Sequence, residues 1–191
     1  MKKLTKLMAI AVAAVAIFFT TNAKAQTTPP SVWRFGVGVE GGIPTGNAHD
    51  ISNFELGGTA RLQYGIAKNL ALTLTSGYYN FFGKSYESTF TDATGTTTVT
   101  VQGRSLGIIP VKAGIKGFFT DNLYLGGEAG AGFEVHEPVA GEATNTKLIL
   151  SPAFGWANKS WDVGVRYEAF LGQSNNYGVA ALRLAYGFPI K

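Results

Sequence analysis

Apolar and polar side chains alternate with a period of two along most of the chain that follows residue 25. The alternation occurs in eight segments separated by turn-forming residues, and no window in this region keeps the apolar period of an amphipathic helix. The segments lie near residues 32–43, 54–66, 70–82, 104–119, 123–136, 148–156, 161–171 and 182–188. The pattern predicts an all-β fold of eight strands.

Each segment has one apolar face and one face of charged, small polar or glycine residues. In the fifth segment, Leu125 and Phe133 fall on the apolar face, whereas Glu128 and Glu134 fall on the other. The fourth segment changes phase next to Pro110, which has no N–H to donate to a ladder, and a β-bulge is therefore expected there.

Alternation alone does not tell which face is inside. A soluble barrel buries its apolar face, whereas a membrane barrel presents that face to lipid and turns the polar face inward. Connection lengths favour the membrane barrel, because short and long links alternate as periplasmic turns and extracellular loops do. The short links are 67–69, 120–122 and 157–160, and the generally longer ones are 44–53, 83–103, 137–145 and 172–176.

The longest link, 83–103, alternates again over residues 96–101. This alternation allows a hairpin that extends the third and fourth strands beyond the membrane. An exposed strand edge there can bind a partner by β-addition, although a solvated loop without a partner is the simpler interpretation.

Aromatic side chains give a second argument for a membrane barrel. On the apolar face they collect at both ends of the predicted strands, where such barrels carry interfacial girdles. At the short-link end they are Trp33, Tyr64, Phe119, Trp156, Trp161, Tyr186 and Phe188, and toward the long-link end they are Tyr78, Phe82, Phe133 and Tyr177. We therefore expect an eight-stranded antiparallel up-and-down transmembrane β-barrel, with a soluble lipocalin-like barrel as the alternative.

In this barrel the charged face lines a lumen just wide enough to be filled by side chains. Charges enclosed there have to pair or form hydrogen bonds. The predicted lumen charge network consists of Arg34, Glu40, Glu55, Arg61, Lys112, Lys116, Glu128, Glu134, Asp162, Arg166, Glu168 and Arg183. A filled lumen favours a structural or surface-interaction role over transport, and a narrow ion-conducting pore is the alternative.

The first residues predict export. MKKLTK precedes a short apolar run and an A-x-A pattern at Ala23 and Ala25, so residues 1–25 form a predicted signal peptide, residues 26–31 a short linker and residues 32–191 the barrel. Removing the signal peptide takes away four of the 16 basic residues and no acidic one, which leaves 12 basic against 12 acidic residues. The basic balance of the full chain therefore gives no support to a nucleic-acid partner. The chain has no cysteine, which excludes disulfides and thiolate metal sites.

Four stretches resemble the OmpA/OmpX-like family of eight-stranded outer membrane β-barrels, in the form common among Bacteroidetes. They are AKAQ at the end of the signal peptide, GIIPVKAGIKGFF at 107–119, NLYLGGEAGAG after a tight turn, and the terminal ALRLAYGFPIK. The resemblance implies an integral outer membrane protein surrounded by outer membrane lipid, with both termini in the periplasm and loops that can meet an extracellular partner. It also implies insertion by the barrel assembly machinery, although here Pro189, Ile190 and Lys191 follow the terminal aromatic Phe188.

Few residues suggest chemistry of their own. A G-x-G-x-x-G match at 36–41 lies inside a strand and not before a helix, which excludes a dinucleotide site. Glu128 is expected about 20 Å along the strand from Glu134, so the two do not share a site unless other strands contribute. Because Glu128 faces the lumen, it is predicted to form a buried ion pair near mid-membrane. Glu134 and His136 are neighbours near the rim, where a weak metal or proton-linked contact stays an open hypothesis, and His49 lies in the first long loop. We expect no catalytic residue, no cofactor and no metal, with a lipid A-modifying barrel enzyme as the alternative.

Overall fold

The computed structural model describes residues 29–46, 48–49, 52–92, 95–103, 105–136, 145–172 and 176–190. The predicted signal peptide and residues 26–28 of the predicted linker lie outside the described residues, and for residues 86–88, 90–92, 96–102 and 136 the backbone alone is described. The strands are β1 (Trp33–Gly46), β2 (Ser52–Ala67), β3 (Leu70–Gly83), β4 (Ser85–Asp92), β5 (Gly95–Gln102), β6 (Leu106–Phe118), β7 (Leu123–His136), β8 (Thr146–Ala157), β9 (Trp161–Leu171) and β10 (Tyr177–Ile190).

Eight of these strands form one closed antiparallel barrel, in the order β1, β10, β9, β8, β7, β6, β3, β2. Strands that follow one another along the chain lie next to each other in the barrel, except that β3 is followed there by β6. Strand β1 pairs with β10 over the whole of both strands, which closes the barrel. The remaining strands, β4 and β5, pair with each other as a separate two-stranded sheet inserted between β3 and β6. The predicted eight-stranded up-and-down barrel is confirmed.

The two ends of the barrel differ in their connections. At the short-turn end, residues 68–69, 119–122 and 158–160 link consecutive strands, and the register partners Trp33 and Ile190 begin and end the barrel. At the long-loop end lie the connections 47–51, 84–105, 137–145 and 172–176.

The barrel has the inverted polarity of a membrane barrel. Val39 and Leu182 point outward and are 59% and 55% exposed, whereas Glu40 and Lys112 point inward and are 1% and 0% exposed. The outer surface is thus a continuous apolar band, which is stable in lipid and unstable in water. No helix in the described part of the chain is long and apolar enough to span a membrane.

The predicted girdle at the short-turn end is present on the outer face. Its aromatic rings pack across neighbouring strands, with centroid distances of 4.6 Å for Trp33 and Tyr64, 5.3 Å for Trp161 and Tyr186, and 6.2 Å for Phe119 and Phe154. Trp156 and Phe188 are also exposed there. Amphipathic rings at this level suit the boundary between lipid tails and headgroups.

The assignment of Tyr177 to the outer girdle is wrong. Its ring lies inside the barrel, stacked on Phe170 at 4.8 Å and edge-on to Phe81 at 6.0 Å. The cause is strand phase, because Tyr177 precedes the inward-facing Arg183 by six residues, an even number, on the same strand. Strand β10 begins at Tyr177 and not near residue 182. Its first residues are mostly small, so the alternation of apolar and polar side chains is not visible there in the sequence.

The change of phase expected beside Pro110 is not present in β6. Ile108, Pro110 and Lys112 are all buried while Ile109 and Val111 are exposed, so the alternation runs through the proline without interruption. The register shift lies next to it, on β7, because the step from Gly107↔His136 to Ile108↔Glu134 covers one residue of β6 and two of β7. The extra residue of this bulge therefore belongs to β7.

The charged lumen as the candidate functional site

The middle of the lumen holds a connected network of ion pairs. It consists of nine of the predicted lumen residues, contributed by six strands: Glu40, Arg61, Lys112, Lys116, Glu128, Asp162, Arg166, Glu168 and Arg183. We call these nine residues the lumen network. Alternation places each of them on the inner face, and barrel closure then brings together side chains that are distant in sequence.

Asp162 gathers three cations near the short-turn end. Its Oδ2 atom lies 2.5 Å from Lys116 Nζ, 3.6 Å from Arg183 Nη1 and 3.7 Å from Arg61 Nη1. Its Oδ1 atom accepts a hydrogen bond of 2.7 Å from the Tyr124 hydroxyl. One carboxylate here serves several donors, so the cations around it are only partly neutralised.

Glu128 lies deeper and is more fully paired. Its Oε1 atom is 3.0 Å from Arg61 Nη2 and accepts hydrogen bonds from Thr75 at 2.8 Å and Thr73 at 3.1 Å. Lys112 Nζ lies 3.6 Å from Oε2. The structure therefore places Glu128 in a buried ion pair inside the barrel.

Glu40 joins the first and last strands. Its Oε1 atom accepts hydrogen bonds from Arg183 Nε at 3.1 Å and from the Thr59 hydroxyl at 2.9 Å, while Oε2 contacts Arg166 Nη2. Glu40 and Arg183 are also register partners on β1 and β10. The carboxylate thus ties the closing seam to β2 and β9.

Tyr79 is a member of the site that the sequence analysis missed. Its buried hydroxyl lies 3.0 Å from Lys112 Nζ, 2.5 Å from Arg166 Nη2 and 3.4 Å from Glu168 Oε1. Glu168 in turn pairs with Lys112. The sequence does indicate that Tyr79 faces inward, because it stands an even number of residues from the inward-facing Thr75 on β3.

Three predicted members of the lumen charge network lie outside the ion-paired set. Arg34 donates hydrogen bonds to the carbonyl oxygens of Asn158 at 3.0 Å and Gly187 at 3.1 Å, which connects β1 to the turn before β9 and to β10. Glu55 is buried on the long-loop side, with no hydrogen-bond partner for Oε1 among the described residues. Glu134 accepts a hydrogen bond of 3.1 Å from the Asn145 N–H at the rim.

The hypothesis of a contact between Glu134 and His136 is left untested. The side chain of His136 lies outside the part of the chain that the structure describes. Within the described residues, no cluster of three or more histidine, cysteine or acidic side chains is arranged to hold a metal ion.

Above the lumen network, at the long-loop end, the lumen is filled by apolar side chains. This apolar plug consists of Tyr79, Phe81, Leu106, Ile108, Ile149, Phe170, Val179 and Ala181, with Tyr177 packed against it. Phe81 and Phe170 meet edge-on at 6.0 Å, and both are buried. The sequence pattern predicts a lumen filled by charges, whereas in the structure the lumen has a charged middle and an apolar layer.

The surroundings of the lumen network determine what it can do. Its side chains are enclosed by the barrel wall, the apolar plug and, at the short-turn end, the buried pair Phe118 and Tyr124. Interactions between charges are strong in such a low-dielectric interior, and removing one partner of a pair leaves a costly unpaired charge. The arrangement favours a rigid, cross-linked interior.

Comparisons with known proteins place this fold among bacterial outer membrane barrels. No protein-family model and no curated protein sequence matches the chain. The crystal structure of Ail, the attachment invasion locus protein of Yersinia pestis, has a TM-score of 0.54 at 13% identity and covers 84% of this chain and 99% of Ail. Ail in complex with the heparin analogue sucrose octasulfate has a TM-score of 0.53 at 12% identity, with coverage of 84% and 99%.

A third similar structure is the N-terminal β-barrel domain of Pseudomonas aeruginosa OprF, with a TM-score of 0.50 at 14% identity, covering 81% of this chain and 97% of that domain. At these identities the likeness shows the fold alone. The chain has the closed eight-stranded antiparallel fold of outer membrane β-barrels.

Proposed function

We propose that this outer membrane barrel has a closed lumen and a structural or surface-interaction role, carried by the outer barrel wall and the long-loop end. The observation that supports a closed lumen is the presence of two obstructions in series, the lumen network and the apolar plug. Two cavities lined by lumen residues are each about 20 Å³, which is room for about one water molecule. Ions crossing the barrel would have to displace both layers.

Conductance in planar bilayers tests the closed lumen. We expect the purified mature chain to insert without producing stable single-channel steps. Stable steps that change in amplitude when Arg166 is replaced by alanine would contradict the proposal and establish the narrow pore instead. The pore is the second candidate because the two cavities share Arg61 and Arg183 in their linings, so that they lie in series along the lumen.

The proposal includes an orientation in the membrane. We infer that the short-turn end, with both chain termini, faces the periplasm and that the long-loop end faces the outside of the cell. This is the arrangement that short turns and long loops have in outer membrane barrels. Protease treatment of intact cells is expected to cut the long connections and to leave an epitope tag at the C-terminus uncut, and the reverse pattern would contradict the orientation.

A partner outside the cell is the proposed object of a surface role. Strands β4 and β5 pair with each other and with no barrel strand among the described residues, so each presents one unpaired backbone edge. Such an edge can accept a strand from a partner protein by β-addition. During biogenesis, the barrel assembly machinery is the proposed partner for insertion.

We propose no catalytic role for the lumen. Glu40, Glu128, Asp162 and Glu168 are each engaged by cations, which leaves these carboxylates poorly placed to act as bases. The test is the composition of lipid A in cells that express the protein. Modified lipid A that reverts on His136→Ala would contradict the proposal.

A further inference from the structure

The ion pairs of the lumen network join groups whose charges do not balance. The cations are Arg61, Lys112, Lys116, Arg166 and Arg183, and the carboxylates are Glu40, Glu128, Asp162 and Glu168. Five cations therefore face four carboxylates. An excess positive charge enclosed by a lipid-embedded wall is unfavourable unless a counter-ion accompanies it.

Two cavities of about 20 Å³ border this network. The first cavity, toward the short-turn end, has the charged lining residues Arg34, Arg61, Lys116, Asp162 and Arg183. The second cavity has Arg61, Glu128, Arg166 and Arg183. Cations outnumber carboxylates in both linings, so both cavities have the electrostatic character of anion sites.

Arg166 supplies unused donors in the second cavity. Its side chain is buried, and its contacts with Glu40, Glu168 and Tyr79 are all made by Nη2. Its Nε and Nη1 atoms are buried without a hydrogen-bond partner among the described residues. A buried guanidinium N–H without an acceptor is destabilising, so these donors call for an acceptor that the chain itself does not provide.

The carboxylate that lines the second cavity already has other partners and forms no ion pair with Arg166. Glu128 is held by Arg61 at 3.0 Å and by the hydroxyls of Thr73 and Thr75. A water molecule in the cavity can accept from Arg166, but it leaves the excess charge in place. An anion does both, since it accepts hydrogen bonds and neutralises the charge.

We propose that the second cavity binds one monovalent inorganic anion of halide size, held by Arg166 together with Arg61 and Arg183. The cationic lining of the first cavity gives such an anion a favourable route from the short-turn end. Bound there, the anion completes the charge balance of the lumen network. The proposal is independent of whether the lumen conducts.

Glu55 is the rival source of the missing negative charge. It is a buried carboxylate on the long-loop side and forms no ion pair within the described part of the chain. It lines neither cavity. A charged Glu55 would reduce the need for an anion, and the experiment therefore includes the Glu55→Gln variant.

Bromide is the direct probe of the site. Crystals of the mature protein grown in detergent and soaked in sodium bromide are expected to show an anomalous peak in the second cavity, within hydrogen-bond distance of Arg166 Nε or Nη1. A second cavity that contains a water molecule and no bromide would overturn the proposal. This measurement uses the unaltered chain and does not depend on the folding of a variant.

Stability of the folded barrel in detergent gives a second readout. Chloride is expected to raise the melting temperature with a saturable dependence on concentration, whereas gluconate at equal ionic strength, being too large for the cavity, is not. For Arg166→Gln we expect the chloride concentration at half-effect to rise about tenfold or more, because two donors and one charge are lost. Equal responses to chloride and gluconate in the unaltered chain would overturn the proposal.

Lys147→Gln is the matched control. Lys147 is a buried cation that lies outside the lumen network and lines neither cavity. Its replacement removes one buried charge while it leaves the excess charge of the lumen network and the Arg166 donors in place, so the saturable chloride response should persist. A response that disappears equally in both variants would contradict a site at Arg166, and a response that exists only in Glu55→Gln would assign the balancing charge to Glu55.

Discussion

Glu40 and Arg183 face each other across the seam that closes the barrel, with 3.1 Å between Glu40 Oε1 and Arg183 Nε. The first residue lies on the first strand and the second on the last, 143 positions apart in the chain. Both side chains are buried, and Glu40 also accepts a hydrogen bond from Thr59 on β2. Closure of the barrel therefore brings together the two partners of a buried ion pair.

Replacing Glu40 by alanine tests how much its buried ion pairs stabilise the barrel. We expect Glu40→Ala to lower the free energy of unfolding by about 3–5 kcal/mol, because Arg183 and Arg166 would lose a shared buried partner. Urea unfolding in lipid vesicles, followed by tryptophan fluorescence, measures the change. Glu134→Ala at the rim is the control and should cost about 1 kcal/mol or less. Equal costs for the two variants would show that the seam pair is not stabilising.

The apolar plug predicts a difference between two phenylalanine residues. Phe81 is 2% exposed inside the barrel, whereas Phe154 is 45% exposed on the outer face. Both lose apolar burial on replacement by alanine, but lipid chains fill the space at Phe154 while a cavity stays at Phe81. Phe81→Ala should therefore destabilise the barrel by about 1–3 kcal/mol more than Phe154→Ala, in the same unfolding assay. A larger loss for Phe154→Ala would mean that the lumen is not packed there.

Two glycines on β7 give a test of how closely β6 and β7 approach each other. A Cβ atom at Gly130 would overlap the Val111 carbonyl oxygen and come within 2.6 Å of Lys112 Cα, whereas a Cβ at Gly127 meets nothing within 4 Å. Gly130→Ala is expected to cost about 1–3 kcal/mol, and Gly127→Ala to change stability by about 0.5 kcal/mol or less. Unfolding midpoints for the two variants check this, and a neutral Gly130→Ala would contradict the close approach of β6 and β7.

The hairpin formed by β4 and β5 should be separable from the barrel. The Gly103 N–H donates a hydrogen bond of 3.0 Å to the Lys84 carbonyl oxygen, so the two ends of the hairpin already lie together. Replacing residues 85–102 by a two-residue Asn-Gly turn should leave the unfolding free energy within about 1 kcal/mol, since the hairpin pairs with no described barrel strand and the closing turn is short.

The same deletion examines the proposed surface role. If the hairpin edge carries a partner interaction, cells that express the shortened barrel should lose attachment to surfaces or to other cells while they keep normal amounts of folded barrel in the outer membrane. Attachment that is unchanged would remove the hairpin from the proposed function and leave the other long connections to carry it.

Alternation along the strands predicts the barrel and the inward direction of its charged side chains. Phase alone places Glu40, Lys112 and Glu168 inward, because successive side chains of a strand point to opposite sides. The prediction that Tyr177 lies on the outer face rests on residue type and not on its position in the alternation of the strand. In the structure its ring lies inside the barrel. Residue type was the weaker guide, since aromatic rings pack both lipid boundaries and lumen interiors.

Which side chains pair with each other inside the lumen could not be predicted from the sequence. Arg61 reaches Glu128 across 67 positions of the chain, and Tyr79 meets Glu168 across 89. These contacts depend on how far each strand is staggered relative to its neighbour when the barrel closes, and the alternation pattern carries no record of that stagger. The shift between Gly107 and Ile108 alters it further, by one residue, along β6 and β7.

The division of the lumen into a charged middle and an apolar plug was missed for a related reason. Phe81, Ile149 and Phe170 come from three different strands, and the inward faces of these strands otherwise carry mostly small or polar residues. They form a layer only when the strands are aligned at the long-loop end.

The central claim is that the apolar face of this barrel contacts lipid and the charged face is enclosed. All three tryptophans of the chain, Trp33, Trp156 and Trp161, lie on the outer face at the short-turn end and are 48%, 40% and 46% exposed. The most direct measurement is tryptophan fluorescence of the mature chain folded into vesicles of brominated phosphatidylcholine. We expect strong quenching, greater when bromine is near the headgroup than when it is near the chain end; fluorescence unaffected by either lipid would contradict the claim.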